Sequence, residues 1–299
     1  MSLLLSIGEC LVELYAARDD LWHLGIAGDT LNTAYYARAR LPSDWEVGYV
    51  TRLGSDPFSD RAAKFITSHG ISLPTIPRHP GRSIGLYAIS LTHGERSFTY
   101  WRDTSAARTL MEAREAVENA VTKADAVYVS GISLAILPPD GRQWLIELMR
   151  SVVARGGACA FDPNYRPRLW TDAESARLTI TTAAQAASIV LPSFDDEALL
   201  FGDPSPNVTA RRYGMLGAGL VVVKNGRGEL SIVEGAKTIE RITLPSVDPI
   251  DTTGAGDSFN GAFLAAVLTG VPVIEAVYAA HAIARQVVLQ KGALISLVC

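Results

Sequence analysis

The sequence lacks the marks of several large classes of protein. Its 299 residues include three cysteines, Cys10, Cys159 and Cys299, which are far apart and form no Cys-x-x-Cys pair or Cys/His cluster. This pattern predicts reduced thiols and no zinc site. No apolar run reaches membrane-spanning length, and Met1 leads directly into an apolar strand without a basic signal region. We therefore expect a cytoplasmic protein with no membrane role.

The charged residues exclude further classes of partner. The chain carries 27 Lys and Arg against 31 Asp and Glu, for a formal net charge of −4, and its basic residues form no block. Binding to nucleic acid or to an anionic membrane surface is therefore not expected. An anionic small molecule would have to be held by individual Arg and Lys side chains, because the overall charge does not attract it.

Short apolar runs alternate with amphipathic stretches along most of the chain. The apolar runs predict buried strands at residues 3–7, 47–50, 126–129, 158–161, 189–191 and 220–223. The amphipathic stretches predict helices at residues 30–40, 58–69, 113–123, 141–154, 173–186, 208–216, 255–268 and 273–289. This alternation predicts an α/β fold whose mostly parallel, doubly wound sheet is flanked by helices.

Two segments, residues 10–15 and 83–101, differ from this pattern because they alternate apolar and polar residues. Such alternation is typical of strands with one wet face. The second segment contains a turn-like sequence at residues 92–95, which favours a hairpin. We interpret the two segments as a small β-sheet lid inserted into a single α/β domain that spans residues 1–299.

The segment at residues 251–259 carries the clearest chemical pattern, the sequence DTTGAGDSF before a strongly helical run. Gly254 and Gly256 allow the backbone around Ala255 to approach a ligand closely. The following helix offers free N–H groups and the positive end of its dipole to a phosphate. Asp257 lies in the first turn, where a carboxylate could accept a proton from an alcohol during phosphoryl transfer.

The same residues also fit a plainer interpretation, a glycine-containing loop in which Asp257 begins a helix. Other nucleotide motifs fail. The P-loop pattern GxxxxGK[ST] is absent, and Phe259 and Ser231 stand where the two Gly-x-Gly pairs would need a further glycine for a dinucleotide fingerprint. The residues alone leave the phosphate site and the plain loop both open.

At its full length, DTTGAGDSF resembles the C-terminal signature of the ribokinase-like (PfkB) sugar kinases. The segment GIAGDTLN at residues 25–32 is similar to their N-terminal signature, with Ala27 in place of the first glycine of a Gly-Gly pair. The resemblance covers essentially the whole chain. It implies a ribokinase-like α/β fold with a β lid, ATP and Mg²⁺ as co-substrates, Asp257 as catalytic base, and an anion hole from the backbone of Gly254, Ala255 and Gly256.

The resemblance extends to the nucleotide and cation sites. Residues 221–228 (VVVKNGRG) resemble a family segment beside the ATP phosphates, although alone they favour a hairpin turn. Residues 193–197 (SFDDE) stand where the family has Asn-x-x-Glu, and a helix cap explains them equally well. The implied nucleotide contacts are Asn164, Ser193, Lys224, Asn225, Gly226, Gly228, Gly254 and Gly256. The implied cation ligands are Asp196 and Glu197 for Mg²⁺, with Asp251 and Thr253 for a monovalent cation. Dependence on K⁺ stays open.

Three further segments closely resemble the 2-keto-3-deoxygluconate (KDG) kinases, namely YWR at residues 100–102, SGIS at 130–133 and DPNYR at 162–166. Arg suits an acid sugar because it binds carboxylate in a bidentate way, although most Arg residues lie on protein surfaces. The implied substrate contacts are Gly28, Asp29, Asn32, Tyr87, Tyr100, Arg102, Ile132, Arg166 and Asp257. The implied reaction is ATP-dependent phosphorylation of KDG at its 6-hydroxyl, giving 2-keto-3-deoxy-6-phosphogluconate.

Two alternatives accompany this interpretation. The first is a fructokinase or another sugar kinase of the same family. The second is a non-catalytic sugar or nucleotide sensor, which the intact Asp257, Gly254 and Gly256 disfavour. The exposed β faces of the family also imply a homo-oligomer, a dimer or higher.

Overall fold

Strands and helices alternate along most of the chain in the computed structural model, which describes residues 1–16, 21–92, 95–235 and 237–297. The strands are β1 (Ser2–Ile7), β2 (Leu11–Ala16), β3 (Trp22–Ala27), β4 (Trp45–Val50), β5 (Gly85–Thr92), β6 (Glu95–Trp101), β7 (Ala126–Ser130), β8 (Ala158–Asp162), β9 (Ile189–Val190), β10 (Leu220–Val223), β11 (Leu230–Glu234) and β12 (Lys237–Ile242). The helices are α1 (Asp29–Arg40), α2 (Pro57–Ser68), α3 (Arg114–Val121), α4 (Gly131–Ala135), α5 (Pro139–Ala154), α6 (Ala173–Gln185), α7 (Phe194–Phe201), α8 (Pro206–Met215), α9 (Ala255–Leu268) and α10 (Val273–Val288), and 3₁₀ turns cover Ala106–Ala113 and Pro167–Leu169.

The larger sheet has the order β12-β11-β10-β9-β8-β7-β1-β4. Every neighbouring pair from β10 to β4 is parallel, and the antiparallel strands β11 and β12 complete one edge. Parallel strands are buried on both faces, which explains why their sequences are almost continuously apolar. The prediction of a mostly parallel sheet flanked by helices is confirmed.

Side chains on the two faces of this sheet enter different cores. In β7, Val127 and Val129 join the apolar cluster that packs against α3, α5 and α6. Tyr128 between them points to the opposite cluster, which is built from α9 and α10. Helices α1 and α9 pack closely because Gly261 has no side chain, since a Cβ there would lie 2.4 Å from the carbonyl oxygen of Thr33. This contact brings the beginnings of the two helices to the same edge of the sheet.

A second sheet has the order β3-β2-β5-β6. The predicted lid segments fall on β2, β5 and β6, and their closing over a substrate stays a prediction. The sequence analysis missed β3, which pairs antiparallel with β2. The centre of the predicted hairpin turn, residues 93–94, lies outside the described residues, as does Cys299.

Candidate active site

Two glycines set the entry of α1 and α9 at the carboxyl edge of the parallel strands. Gly254 precedes α9 in a left-handed conformation, with φ of 75°, and a Cβ there would lie 2.8 Å from the carbonyl oxygen of Ala293. A Cβ on Gly28, before α1, would lie 2.4 Å from the carbonyl oxygen of Glu9. Both positions therefore require glycine. Gly256 is different, because its nearest neighbour would be Lys224 Nζ at 3.6 Å, an ordinary contact.

Asp257 lies half-buried in the first turn of α9. Its Oδ2 accepts a hydrogen bond of 2.8 Å from Asn32 Nδ2, and Asn32 Oδ1 in turn accepts from the backbone N–H of Gly28 at 3.3 Å. Burial and then the charge of Asp29 raise the pKa of Asp257 to about 7, against the lowering effect of Asn32. The carboxyl group is thus held in place and tuned near neutral pH, which suits a general base.

Asp29 is the acid next to Asp257, at the start of α1. Its Oδ2 accepts a hydrogen bond of 2.9 Å from Asn164 Nδ2, and burial raises its pKa. Asn164 follows β8 with a positive φ of 34°, and its backbone N–H donates to Asp162 Oδ1 at 3.1 Å. The loop after β8 is thereby tied to the beginning of α1.

A buried cluster connects β8, β10 and α9 beneath these acids. Lys224 Nζ lies 2.8 Å from Asp162 Oδ2 and 2.9 Å from Asn260 Oδ1. Asn260 Nδ2 also donates to Asp162 Oδ2 at 2.6 Å and to the hydroxyl of Tyr128 at 3.1 Å. The sequence analysis assigned Lys224 but missed Asp162 and Asn260. Asp162 is the first residue of the quoted segment DPNYR, and Asn260 directly follows the quoted segment DTTGAGDSF.

Aromatic side chains of the second sheet stack on one face, where Tyr87 of β5 lies opposite Tyr100 of β6. Tyr87 is buried, donates its hydroxyl to Glu13, and stacks on Tyr100 with ring centroids 5.7 Å apart. Burial and the charge of Glu13 raise the pKa of Tyr87, with a smaller contribution from Asp257. The guanidinium of Arg102 lies 5.8 Å from the centre of the Tyr100 ring.

Arg102 is itself buried and paired with an acid. Its Nε donates to Glu9 Oε2 at 2.8 Å, and Nη2 donates to the same oxygen. Arg166, by contrast, keeps 49% of its side chain exposed, and its Nη1 lies 3.0 Å from Asp196 Oδ2. Burial lowers the pKa of Arg166, but Asp196 and then Asp162 and Asp29 outweigh burial and raise it. Both predicted Arg residues therefore carry a carboxylate partner.

The two acids predicted for Mg²⁺ point in different directions from α7, which begins after Ser193. Asp196 is paired with Arg166, and burial raises its pKa. The fully buried Glu197 accepts hydrogen bonds from Arg212 at 2.7 Å and from the hydroxyl of Tyr213 at 2.9 Å. These contacts with α8 do not support a metal role for Glu197. Within the described ranges, the structure holds no cluster of three or more His, Cys, Asp or Glu side chains arranged for a metal.

The remaining predicted residues lie in loops around the site. Asp251 accepts hydrogen bonds from the backbone N–H groups of Thr253 at 2.7 Å and Gly292 at 2.9 Å, which ties two loops together. Asn225 donates to the carbonyl of Glu229 at 3.1 Å across the turn between β10 and β11. That turn also contains Gly226, with φ of 48°, and Gly228. Ile132 is half-buried in α4, beside Gly131, whose Cβ would meet the carbonyl oxygen of Pro163.

Compared with known proteins, residues 1–298 match the model of the pfkB family carbohydrate kinases. The 2-dehydro-3-deoxygluconokinase of Escherichia coli (strain K12) is 39% identical over 97% of this chain and 96% of its own length. The enzyme of the same name from Dickeya dadantii (strain 3937) is 38% identical over 97% and 96%. An E. coli protein given the name ribokinase II, solved with ATP and Mg²⁺, has 25% identity and a TM-score of 0.85 over 98% of this chain and 94% of that one.

Proposed function

We propose that this chain, which belongs to the pfkB family of carbohydrate kinases, transfers the γ-phosphoryl group of ATP to the 6-hydroxyl of KDG. The observation that carries the proposal is the position of Asp257, held by Asn32 at the start of α9 with a pKa of about 7. The identity of 38–39% to two 2-dehydro-3-deoxygluconokinases over nearly the full chain supports KDG as the acceptor.

In the proposed reaction, Asp257 accepts the proton of the attacking hydroxyl group. A base whose pKa lies near the working pH combines a useful ionised fraction with a useful proton affinity. The backbone at the beginning of α9, at Gly254, Ala255 and Gly256, would face the charge that develops on the transferred phosphoryl group. Of these residues, Ala255 already donates its N–H to the carbonyl of Thr252 at 3.2 Å. Asp29 keeps the Asp257 carboxylate basic, because its negative charge opposes a second ionisation.

The nucleotide would lie beside the turn between β10 and β11. Lys224 Nζ is close to Gly256 and so to the beginning of α9, where a phosphate would be bound. Asn225, Gly226 and Gly228 would border the nucleotide, with Ser193 and Asn164 nearby, and Mg²⁺ would supply charge neutralisation on the phosphates. Asp196 is the better-placed of the two predicted acids to contact that ion or its water. A monovalent cation near Asp251 and Thr253 stays a hypothesis.

Arg166 and Arg102 would bind the carboxylate group of KDG. Tyr100 would lie beside them, and Tyr87 would line the pocket. The charges of Asp29 and Asp162 both act on Arg166, which supports a role for its guanidinium in the proposed site. The pairing of Arg166 with Asp196 is half-exposed, and exposed ion pairs contribute little to stability. Half of the Arg166 side chain is open to solvent, so a substrate carboxylate could approach its guanidinium while Asp196 stays paired.

A coupled ADP-release assay with KDG, fructose, ribose, gluconate and adenosine tests the proposal. The wild-type enzyme should prefer KDG. Arg166→Ala should lower kcat/KM for KDG by an amount that corresponds to a loss of about 2–5 kcal/mol of transition-state stabilisation, as for other charge pairs that lose one member. For fructose, which has no carboxylate, the loss should be much smaller. If the ratio of kcat/KM for KDG to kcat/KM for fructose is the same in the wild type and in Arg166→Ala, Arg166 does not bind the carboxylate. A wild-type preference for fructose indicates the alternative, a fructokinase.

Cellular location and assembly complete the proposal. We expect the chain to act in the cytoplasm as a homo-oligomer, with no nucleic-acid or membrane partner. No helix in the described part of the chain is long and apolar enough to cross a bilayer. Large side chains are exposed on the second sheet, among them Trp22, Tyr100 and Trp101, which supports self-association through that sheet.

A further inference from the structure

The pair of Glu9 and Arg102 is the most deeply buried charge pair at the site. Arg102 is 6% exposed, Glu9 is 1% exposed, and both donated hydrogen bonds go to the single oxygen Oε2 of Glu9. The other oxygen, Oε1, is buried, and the described residues offer it no hydrogen-bond partner. Burying a carboxylate with one unsatisfied oxygen costs stability. The pair therefore holds the Arg102 guanidinium through a single carboxylate oxygen.

The backbone around the pair connects it to the proposed substrate site. Glu9 follows β1 at the carboxyl edge of the large sheet, and its carbonyl oxygen lies against Gly28, where a Cβ would approach to 2.4 Å. The charge of Arg102 also acts on Asp29, the acid beside Asp257. Glu9 therefore stands between the sugar-facing start of α1 and the guanidinium group on the second sheet.

Gly85 gives a second, independent sign that the pair must occupy a fixed position. A Cβ at residue 85 would lie 3.0 Å from Glu9 Oε1 and 3.2 Å from Arg102 Cβ, and 2.6 Å from Leu11 Cδ2. Gly85 has no positive φ of its own, so backbone conformation does not demand glycine there. The space that it leaves is filled by the side chain of Leu11 and by the pair.

We propose that Glu9 is a positioning residue for substrate specificity. Its carboxylate accepts hydrogen bonds from Nε and Nη2 of Arg102 and so directs Nη1 of the guanidinium toward the carboxylate of an acid sugar. This inference rests on the proposed function. Within the described part of the chain, no hydrogen bond to Nη1 of Arg102 is present, whereas Nε and Nη2 are both engaged. A guanidinium held on one edge loses little freedom when the other edge binds an anion, which is the benefit of preorganisation.

The variant Glu9→Asp tests position alone, because it keeps the charge and shortens the side chain by one methylene. Drawing the guanidinium back by about 1 Å should raise KM for KDG and lower kcat/KM by about 10- to 100-fold. KM and kcat/KM for fructose should change little, because a neutral sugar has no carboxylate to bind Nη1 of Arg102. Glu112→Asp is a control for the same substitution in another Glu–Arg pair, since Glu112, which is 58% exposed, pairs with Arg52, whose other partners are Thr109 and Pro77. It should leave the KDG-to-fructose ratio unchanged.

A double-mutant cycle separates positioning from general stability. In an Arg102→Lys background, Glu9→Asp should lower kcat/KM for KDG by less than about 3-fold further, because the group that it positions is gone. If Glu9→Asp yields too little folded protein, Gly85→Ala, which displaces the pair together with the side chain of Leu11, is measured in the same way. Equal losses for KDG and fructose, or full additivity with Arg102→Lys, overturn the inference while leaving the KDG assignment intact. A wild-type enzyme that does not use KDG overturns both.

Discussion

Replacing Asp257 with Asn should reduce activity and increase stability, and the two effects have different pH dependences. Asn keeps the size of the side chain, and its oxygen can still accept the hydrogen bond from Asn32. It cannot accept the proton of the attacking hydroxyl. Base catalysis is worth roughly 10²–10⁴-fold, so kcat should fall by about that factor when chemistry limits turnover.

The stability gain follows from the raised pKa of Asp257. Its pKa is about 7 in the folded protein and 3.8 in an ordinary environment, so the unfolded chain releases this proton at lower pH than the folded one. Stability of the wild type is therefore lost as the pH rises from the unfolded value of 3.8 through the folded value of about 7. Between pH 5 and pH 8 this loss amounts to at most about 2.7 kcal/mol, and partial access of water lowers it to about 1–2 kcal/mol.

Urea unfolding of the ligand-free wild type and Asp257→Asn at pH 5 and pH 8 measures this effect. The advantage of the variant in free energy of unfolding should be larger at pH 8 by about 1–2 kcal/mol. An advantage that is the same at both pH values would refute the argument that burial and Asp29 raise the pKa of Asp257. A variant that keeps more than about a tenth of wild-type kcat, with chemistry limiting, would refute its role as the base.

Two further predictions concern the surroundings of Asp257. Asp29→Asn removes the negative neighbour, so the acid limb of the kcat/KM profile, expected near pH 7, should move to lower pH; an unmoved limb would show that Asp29 does not act on the base. Gly254→Ala should destabilise the protein by about 1 kcal/mol or more in thermal or urea unfolding, because of its positive φ and the contact with Ala293, whereas Gly256→Ala should not; equal effects would contradict the described geometry.

The architecture was predictable where burial alone determines the sequence. Strands such as β7 and β10 are covered on both faces, so their apolar runs identify them without knowledge of their neighbours. The strand β3 was missed because its sequence, WHLGIA, shows no clear period and owes its conformation to pairing with β2. Edge strand β12 was missed for the same reason, since it depends on pairing with β11.

The residues of the site were likewise predictable only where they lie in a local sequence motif. Asp257, Asn32 and Lys224 lie in motifs that can be recognised locally. Asp162 and Asn260 are 98 positions apart in sequence and meet only because β8 lies near the beginning of α9. Glu9 and Arg102 are 93 positions apart and meet across two different sheets. Such pairs depend on the three-dimensional arrangement of the strands, which no local pattern specifies.

The ion pairs of the site differ in how deeply their side chains are buried. Lys224 and Arg102 are buried with Asp162 and Glu9, and breaking a buried pair leaves a charge without compensation. Arg166 is half-exposed, whereas its partner Asp196 is 21% exposed. Two cations are thus buried with their acids before any ligand arrives, and a third is open to solvent on one side. In a chain with a net charge of −4, this arrangement would let two anionic substrates meet beside Asp257 while the site keeps its cations paired.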